Sequence, residues 1–219
     1  CINMLMFFEG LQLSTPINSG VIVTLTPIII LILSAFFLKE KLTNMKFLGI
    51  TLGFSGALLL ILYGNTSQVV NAPNVSLGNS MMLINSISFG AYLVIVKPLT
   101  KKYSTVTLMK WMFLLGIVMT FPVTYSEFTE VSWSTLPFDA IWRMAFVVVG
   151  TTFFAYLFNV YALRTLSPTT VGAFVYLQPF MGILFATYTG NDQMDVIKGM
   201  ATALVFTGVY LVTQKKKVT

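Results

Sequence analysis

The sequence of 219 residues contains no histidine and only one cysteine, Cys1. A disulfide within the chain needs two cysteines, and a zinc site of the usual type needs several Cys or His ligands, so both are excluded. The phosphate-binding pattern GxxxxGK(S/T) and the nucleophile elbow GxSxG are also absent. These absences argue against nucleotide hydrolysis, and we predict neither a bound metal nor a cofactor.

Charged residues are also scarce, at 9% of the chain, whereas an ordinary soluble domain has about 25%. Seven uncharged stretches each have a length near the roughly 20 residues that cross a bilayer as a helix. They run over 18–38, 47–63, 77–96, 111–126, 144–163, 165–191 and 199–214. A soluble helical bundle would need polar faces at helical period, and these stretches are apolar nearly all round. We therefore predict an all-α membrane protein with seven complete transmembrane helices.

The chain begins with a shorter apolar stretch, residues 1–13. As a helix this stretch would reach only about 20 Å, whereas the hydrocarbon core is about 30 Å thick. We expect one partial transmembrane helix here and interpret the sequence as a piece of a longer chain.

Basic residues mark one side of the predicted bundle. When the helices are numbered from the partial one, eleven of the thirteen Lys and Arg residues fall in loops on the same side. They are Lys39, Lys41, Lys46, Lys97, Lys101, Lys102, Lys110, Arg164, Lys215, Lys216 and Lys217. By the positive-inside rule this side is cytoplasmic, and so is the carboxyl terminus of this multi-pass protein. The scatter of these residues, without interleaved aromatic side chains, argues against a nucleic-acid partner.

Two stretches with a proline inside a predicted helix repeat at a spacing of 152 residues. The aligned pairs are Pro16 with Pro168, Gly20 with Gly172, Pro27 with Pro179 and Gly56 with Gly208. The copies lie five helices apart and therefore enter the membrane from opposite sides. Such an inverted repeat is typical of secondary transporters, in which interrupted helices at corresponding positions indicate the substrate site.

Pro27 and Pro179 each deprive a carbonyl four residues earlier of its helical hydrogen bond, at Val23 and Val175. Irregular backbone at membrane depth is tolerated where it lines a cavity, so we predict functional helix bends at both prolines. The alternative is a packing kink in which a nearby threonine hydroxyl satisfies the carbonyl.

The segment LSTPINSGVIVTLTPIIILILSAFFLKEKLTNMKFLGITLGFSGALLLIL resembles the end of an EamA repeat. It has a proline within one helix, Glu40 just past the cytoplasmic end of that helix, and a last helix with Gly49 and Gly56. The EamA family belongs to the drug/metabolite transporter superfamily. The resemblance implies a ten-helix bundle of two inverted five-helix repeats, located in the cell (inner) membrane.

This resemblance covers nearly the whole chain. Residues 1–63 correspond to the last three helices of the first repeat, with the first of them truncated, and residues 77–213 correspond to the complete second repeat. The second copy departs from the pattern because it carries Asp192 where Glu40 aligns.

Polar side chains at helical spacing within the apolar stretches are candidates for lining a substrate cavity. The candidates are Glu9, Thr24, Asn85, Ser88, Tyr92, Thr152, Tyr156, Asn159, Tyr176 and Gln178. The alternative for each uncharged residue is a hydrogen bond between helices. Glu9 is the only acid within a membrane segment, so we consider proton coupling through it, with an acid that reaches the outer interface as the alternative.

The pair Gly49 and Gly53 forms a GxxxG pattern, which indicates close helix packing either within the monomer or between subunits, so the oligomeric state stays open. No Lys or Arg occupies the middle of a predicted helix, which argues against a polyanionic phosphate substrate.

The resemblance implies transport of amino acids or related metabolites, usually outwards. We expect a secondary transporter of small metabolites that works by alternating access, and not an enzyme. Sugar uptake and drug efflux are the alternatives within transport. A membrane-embedded receptor or enzyme is the alternative from another class, although the visible helices offer catalysis only Glu9.

Overall fold

The computed structural model describes residues 2–63, 73–188 and 196–214, and within these ranges the chain forms helices and the turns that join them, with no strand. Asp192 and the three lysines at 215–217 lie outside the described residues. The chain forms two compact units. The split unit consists of Ile2–Val94 and the chain from Ser167 onwards, and the continuous unit consists of Ile95–Leu166.

In chain order the helices are α1 Ile2–Leu13, α2 Pro16–Val23, α3 Thr26–Phe37, α4 Asn44–Tyr63, α5 Val75–Leu99, α6 Thr105–Glu130, α7 Phe138–Ala145, α8 Ala155–Thr165, α9 Pro168–Ala173, α10 Leu177–Tyr188 and α11 Val196–Thr213. The longest helices are α4, α5 and α6, with 20, 25 and 26 residues. Residues Trp133–Thr135 and Phe174–Tyr176 form 3₁₀-helices, and Phe146–Phe154 form a π-helix that joins α7 to α8.

Six stretches in the described part of the chain are long and apolar enough to cross a membrane. They are Asn18–Phe37, Asn44–Leu62, Val75–Leu99, Thr105–Glu130, Phe138–Thr165 and Val196–Thr213. The predicted helix over 165–191 is not among them, and its described part is divided among α9, a 3₁₀-turn and α10.

Helices α2 and α9 begin in the same way. A hydroxyl side chain caps each one by accepting a hydrogen bond from the backbone N–H three residues later, at 3.2 Å for Thr15 and 3.3 Å for Ser167. A proline follows each cap in the first helical position, where its missing N–H costs no hydrogen bond. The two caps are also aligned at the spacing of 152 residues found in the sequence.

Two interruptions follow these starts at corresponding positions. Residues 24 and 25 form a turn between α2 and α3, and Phe174–Tyr176 form the 3₁₀-turn between α9 and α10. Pro27 and Pro179 therefore lie in the first turns of new helices, α3 and α10, and not at the centre of one continuous helix. A proline is tolerated in a first turn because the N–H groups there have no intrahelical acceptor, so the missing N–H of proline costs no hydrogen bond.

The core of the split unit is the antiparallel contact of α4 with α11. A Cβ atom on Gly49 would lie 2.6 Å from the carbonyl oxygen of Gly208, and a Cβ atom on Gly56 would lie 2.6 Å from that of Ala201. Only glycine lets the two backbones approach so closely. The GxxxG pattern therefore packs within the chain.

Candidate functional site

The split unit contains seven of the ten predicted cavity residues, together with Pro27 and Pro179. Those seven are Glu9, Thr24, Asn85, Ser88, Tyr92, Tyr176 and Gln178. The continuous unit contains the other three, Thr152, Tyr156 and Asn159.

Tyr176 ends the 3₁₀-turn that interrupts the second proline-containing segment, and it is fully buried. Its ring packs directly on α4, since a Cβ atom on Gly53 would lie 2.5 Å from the ring carbon Cδ2. Its hydroxyl has no hydrogen-bond partner among the described residues. A buried hydroxyl without a partner costs about 1–3 kcal/mol, so this atom is the polar group of the interruption best placed to gain from a polar ligand.

Thr24 occupies the position that aligns with Tyr176, in the turn between α2 and α3. It is 2% exposed, and its hydroxyl donates a 2.6 Å hydrogen bond to the carbonyl of Val21. The hydroxyl therefore bonds to the backbone of α2 at Val21. The carbonyl that Pro27 is predicted to leave open is that of Val23, two residues later.

Asn85 joins two helices through a reciprocal pair of hydrogen bonds. Its Nδ2 donates to the carbonyl of Asn3 at 2.7 Å, and the Nδ2 of Asn3 donates to the carbonyl of Asn85 at 3.1 Å. Ser88 and Tyr92, which were predicted to share its face, are half-buried, and the Tyr92 ring contacts Phe89. Asn85 thus has the role that the interhelical alternative predicted for it.

Glu9 and Gln178 are both exposed in the structure.

The three candidates of the continuous unit are half-buried. The expected face assumed 3.6 residues per turn, but Thr152 lies in the π-helix, whose hydrogen bonds span five residues. Tyr156 and Asn159 lie in the regular helix α8, and the Tyr156 ring meets Phe113 edge-on at 6.3 Å between centroids. The wider turn of the π-helix changes the direction of Thr152 relative to the other two.

A largely buried polar cluster that the sequence interpretation did not predict lies where α3 ends. Glu40 forms an ion pair with Lys46, and its other carboxylate oxygen accepts a 2.9 Å hydrogen bond from the Thr169 hydroxyl. In the sequence Glu40 is part of a family pattern and Lys46 is a topology signal, and neither feature predicts the cluster. No local sequence signal connects either residue to Thr169, which lies 129 positions after Glu40.

The described residues contain no group of three or more His, Cys, Asp or Glu side chains that would hold a metal ion. The polar groups at the helix interruptions are hydroxyls and backbone groups, which suit hydrogen bonding to a small polar solute.

A family model described as "EamA-like transporter family" matches residues 1–62 and 76–214. The chain belongs to this family. Together with the six apolar spans, this membership makes the chain a multi-pass membrane protein of a transporter family. The EamA resemblance drawn from the sequence is thereby confirmed.

Several curated relatives of this EamA-family chain carry transporter names. An "Uncharacterized transporter" of Archaeoglobus fulgidus is 24% identical over 210 residues, which are 95% of this chain and 71% of that protein. The "Uncharacterized transporter YyaM" of Bacillus subtilis is 24% identical over 93% of this chain and 66% of its own length. The "Uncharacterized transporter YetK" of the same organism is 25% identical over 95% of this chain and 63% of its own length. The chain thus spans about two thirds of the length of these relatives.

A solved crystal structure of a protein has the same fold as this chain, with a TM-score of 0.76. The superposition covers 96% of this chain and 73% of the solved chain, at 20% sequence identity. At this identity the likeness concerns the fold alone.

Proposed function

We propose that this protein is a secondary transporter that moves a small metabolite across the inner membrane by alternating access, with export of an amino acid or related metabolite as the favoured reaction. The observation that carries the proposal is the pair of helix interruptions at corresponding positions, residues 24 and 25 and Phe174–Tyr176. In secondary transporters, discontinuous helices at corresponding positions of two repeats form the substrate site.

Reciprocal packing supports the inverted repeat. Adding 152 to Gly49 gives Ala201, and adding 152 to Gly56 gives Gly208. The structure packs α4 antiparallel to α11, its equivalent in the other copy, with Gly49 against Gly208 and Gly56 against Ala201. A two-fold relation between the copies places equivalent helices against each other in this way. This supports residues 1–63 and 77–213 as parts of two inverted repeats in a ten-helix bundle.

The distribution of charge favours a neutral or zwitterionic substrate. Every Lys and Arg in the six spans lies within six residues of a span end. A polyanionic substrate would need cations near the middle of the membrane, with the bidentate geometry that arginine supplies. Uncharged hydroxyl and amide groups suit amino acids and related solutes better.

The exposed lysines support a cytoplasmic carboxyl terminus. Lys39 and Lys41 are exposed in the turn after α3, and Lys101 and Lys102 are exposed in the turn after α5. In the proposed topology both turns lie on the cytoplasmic side, where such residues are enriched.

Proton coupling through Glu9 is a further part of the proposal, since a carboxylate in a membrane segment is a natural proton carrier. Its test compares the flux of the Glu9→Gln protein with and without an imposed pH gradient. The matched control is Glu127→Gln, which alters an exposed acid in α6. We expect the gradient to drive flux in the control and in the unaltered protein only. A Glu9→Gln protein that still responds to the gradient would remove Glu9 from the mechanism.

The decisive experiment for transport uses the natural full-length protein reconstituted in liposomes. Labelled amino acids, sugars and a cationic dye are offered in turn, and protein-free liposomes give the background. The double variant Pro27→Ala/Pro179→Ala removes the two prolines that start α3 and α10, which allows each segment to become a continuous helix. The control is Pro122→Ala, because Pro122 is an exposed proline inside α6.

We expect saturable amino-acid flux that the double variant loses and the control keeps. Saturable flux of a sugar or of the dye alone would replace the favoured substrate by one of the alternatives. No flux of any solute by correctly folded protein would refute the transport proposal and favour a receptor or an enzyme.

A further inference from the structure

Both carboxylate oxygens of Glu40 are engaged by other side chains. One forms the ion pair with Lys46, and the other accepts the 2.9 Å hydrogen bond from Thr169. The exposed fraction is only 12% for the Glu40 side chain and 18% for that of Lys46, and Thr169 is fully buried. The backbone N–H of Glu40 also donates to the carbonyl of Ser34 at 3.2 Å, which fixes the chain just after α3.

The two side-chain contacts of Glu40 differ in what they connect. Lys46 lies six positions away, in the first turn of α4, and therefore orients the carboxylate locally. Thr169 lies in α9, so its contact ties the end of α3 to the start of the second proline-containing segment. These segments also pack together: a Cβ atom on Gly172 of α9 would lie 2.4 Å from Cδ1 of Ile30 in α3. A movement of α9 away from α3 would therefore break the hydrogen bond.

We propose that Glu40, Lys46 and Thr169 form a latch that holds the cytoplasmic ends of the two interrupted segments together and must open when the transporter opens to the cytoplasm. This inference rests on the proposed function and on its topology, in which the turn after α3 is cytoplasmic. Glu40 is a positioning residue in this scheme: it selects a conformation and does not touch the substrate. A ligand-independent contact that exists in only one of two conformations shifts the equilibrium between them by its own free energy.

The repeat does not reproduce the Thr169 hydroxyl in its other copy. The spacing of 152 residues pairs Thr169 with Ile17, and isoleucine has no hydroxyl to donate. The other half of the aligned pair, Asp192, lies outside the described residues. A side-chain hydrogen bond like that of Thr169 is therefore excluded for Ile17 by the residue type.

Ser34 provides a probe for this conformation. It is fully buried near the cytoplasmic end of α3, and its hydroxyl has no hydrogen-bond partner among the described residues, so a cysteine fits there with little disturbance. The experiment uses the full-length protein with all native cysteines replaced and Ser34→Cys added. Inside-out vesicles expose the cytoplasmic side to a membrane-impermeant maleimide, and the rate of alkylation is measured.

Three variants separate the hydrogen bond from the shape of the side chain. Thr169→Val keeps the shape and loses the hydroxyl, whereas Thr169→Ser keeps the hydroxyl and loses a methyl group. Glu40→Gln removes the charge, and Glu130→Gln is its matched control at an exposed acid in α6. We expect alkylation about 10- to 100-fold faster in Thr169→Val, since hydrogen bonds to charged groups are worth that factor in an equilibrium. The increase in Glu40→Gln should be smaller, because the amide oxygen of glutamine still accepts a hydrogen bond from Thr169. Thr169→Ser and Glu130→Gln should keep the slow rate.

Equal rates in Thr169→Val and Thr169→Ser would overturn the latch, because they would show that packing and not the hydrogen bond closes this end. An unchanged rate in Glu40→Gln would overturn it as well. The alkylation rate needs no substrate, so its outcome is independent of the liposome flux measurement. Fast alkylation in the two latch variants without any solute flux would support the latch and count against transport, and flux with unaltered alkylation would do the reverse.

Discussion

Replacing Tyr176 with phenylalanine removes one oxygen atom from the interruption between α9 and α10 and leaves the ring in place. The ring has a defined position because it is fully buried against Gly53. The hydroxyl lacks a hydrogen-bond partner among the described residues. A buried hydroxyl without a partner costs about 1–3 kcal/mol, so the variant should be more stable by about that amount. For a chain of about 150–250 residues each kcal/mol changes Tm by about 2–4 °C.

The same substitution should weaken transport if the hydroxyl binds substrate. A hydrogen bond between neutral groups contributes about 0.5–1.5 kcal/mol, which corresponds to an increase of about 2- to 12-fold in KM. The assay combines thermal unfolding in detergent with flux into liposomes. The matched control is Tyr210→Phe, which removes the hydroxyl of a residue that is 63% exposed on α11, and we expect it to change neither quantity.

Opposite signs for stability and transport are the signature of a binding group that is unsatisfied in the empty protein. A lower Tm in the Tyr176→Phe protein would refute the reasoning, because it would show that the hydroxyl has a partner that stabilises the fold. A higher Tm with unchanged KM would show that the buried hydroxyl lowers stability without binding substrate, and Tyr176 would no longer be a candidate for the substrate site.

Three further predictions concern stability. Gly208→Ala places a Cβ atom 2.5 Å from the backbone nitrogen of Gly53 in α4, so we expect a loss of about 1–3 kcal/mol in unfolding free energy. Gly182→Ala, in α10 with nothing within 4 Å, should instead gain up to about 1 kcal/mol, because alanine favours a helix over glycine. Lys97→Met removes a side chain that donates to the carbonyl of Leu163 at 2.6 Å and to that of Leu166, just after α8, at 2.8 Å. It should lower stability by about 1.5–3 kcal/mol. The exposed Lys101→Met is its control, and equal effects would contradict the capping role. Asn85→Ala should lower stability by about 0.6–1.7 kcal/mol, because it breaks one interhelical hydrogen bond. The flux per folded molecule should be unchanged, and a raised KM would instead show that Asn85 contributes to the substrate site.

The starts of α2 and α9 depend on neighbouring residues. A hydroxyl residue followed by proline begins both α2 and α9, and the hydrogen bonds that cap them span only three positions. The prolines at 27 and 179 marked the interruptions for the same reason, although the division into separate helices differs from the predicted bend inside one helix.

The environments of the candidate site residues were much less readable. Asn85 and Tyr92 have the spacing of one helical face, but spacing does not say whether a neighbouring helix or a cavity lies in front of that face. The structure gives Asn85 a partner 82 positions away. It also assigns Thr152 to a π-helix, which the predicted 3.6-residue period does not represent.

The sequence by itself determined that this is a helical membrane protein of a transporter family. Low charge and spans near 20 residues are properties of composition and length, and the bilayer imposes them on each segment separately. Only the tertiary structure decided which polar atoms meet: the α4 glycines with α11, Glu40 with Thr169, and the Tyr176 hydroxyl with no partner among the described residues. The physical reason is that helical periodicity relates residues within a few turns, whereas these contacts depend on how distant helices pack, and any of several packings would satisfy the same apolar pattern.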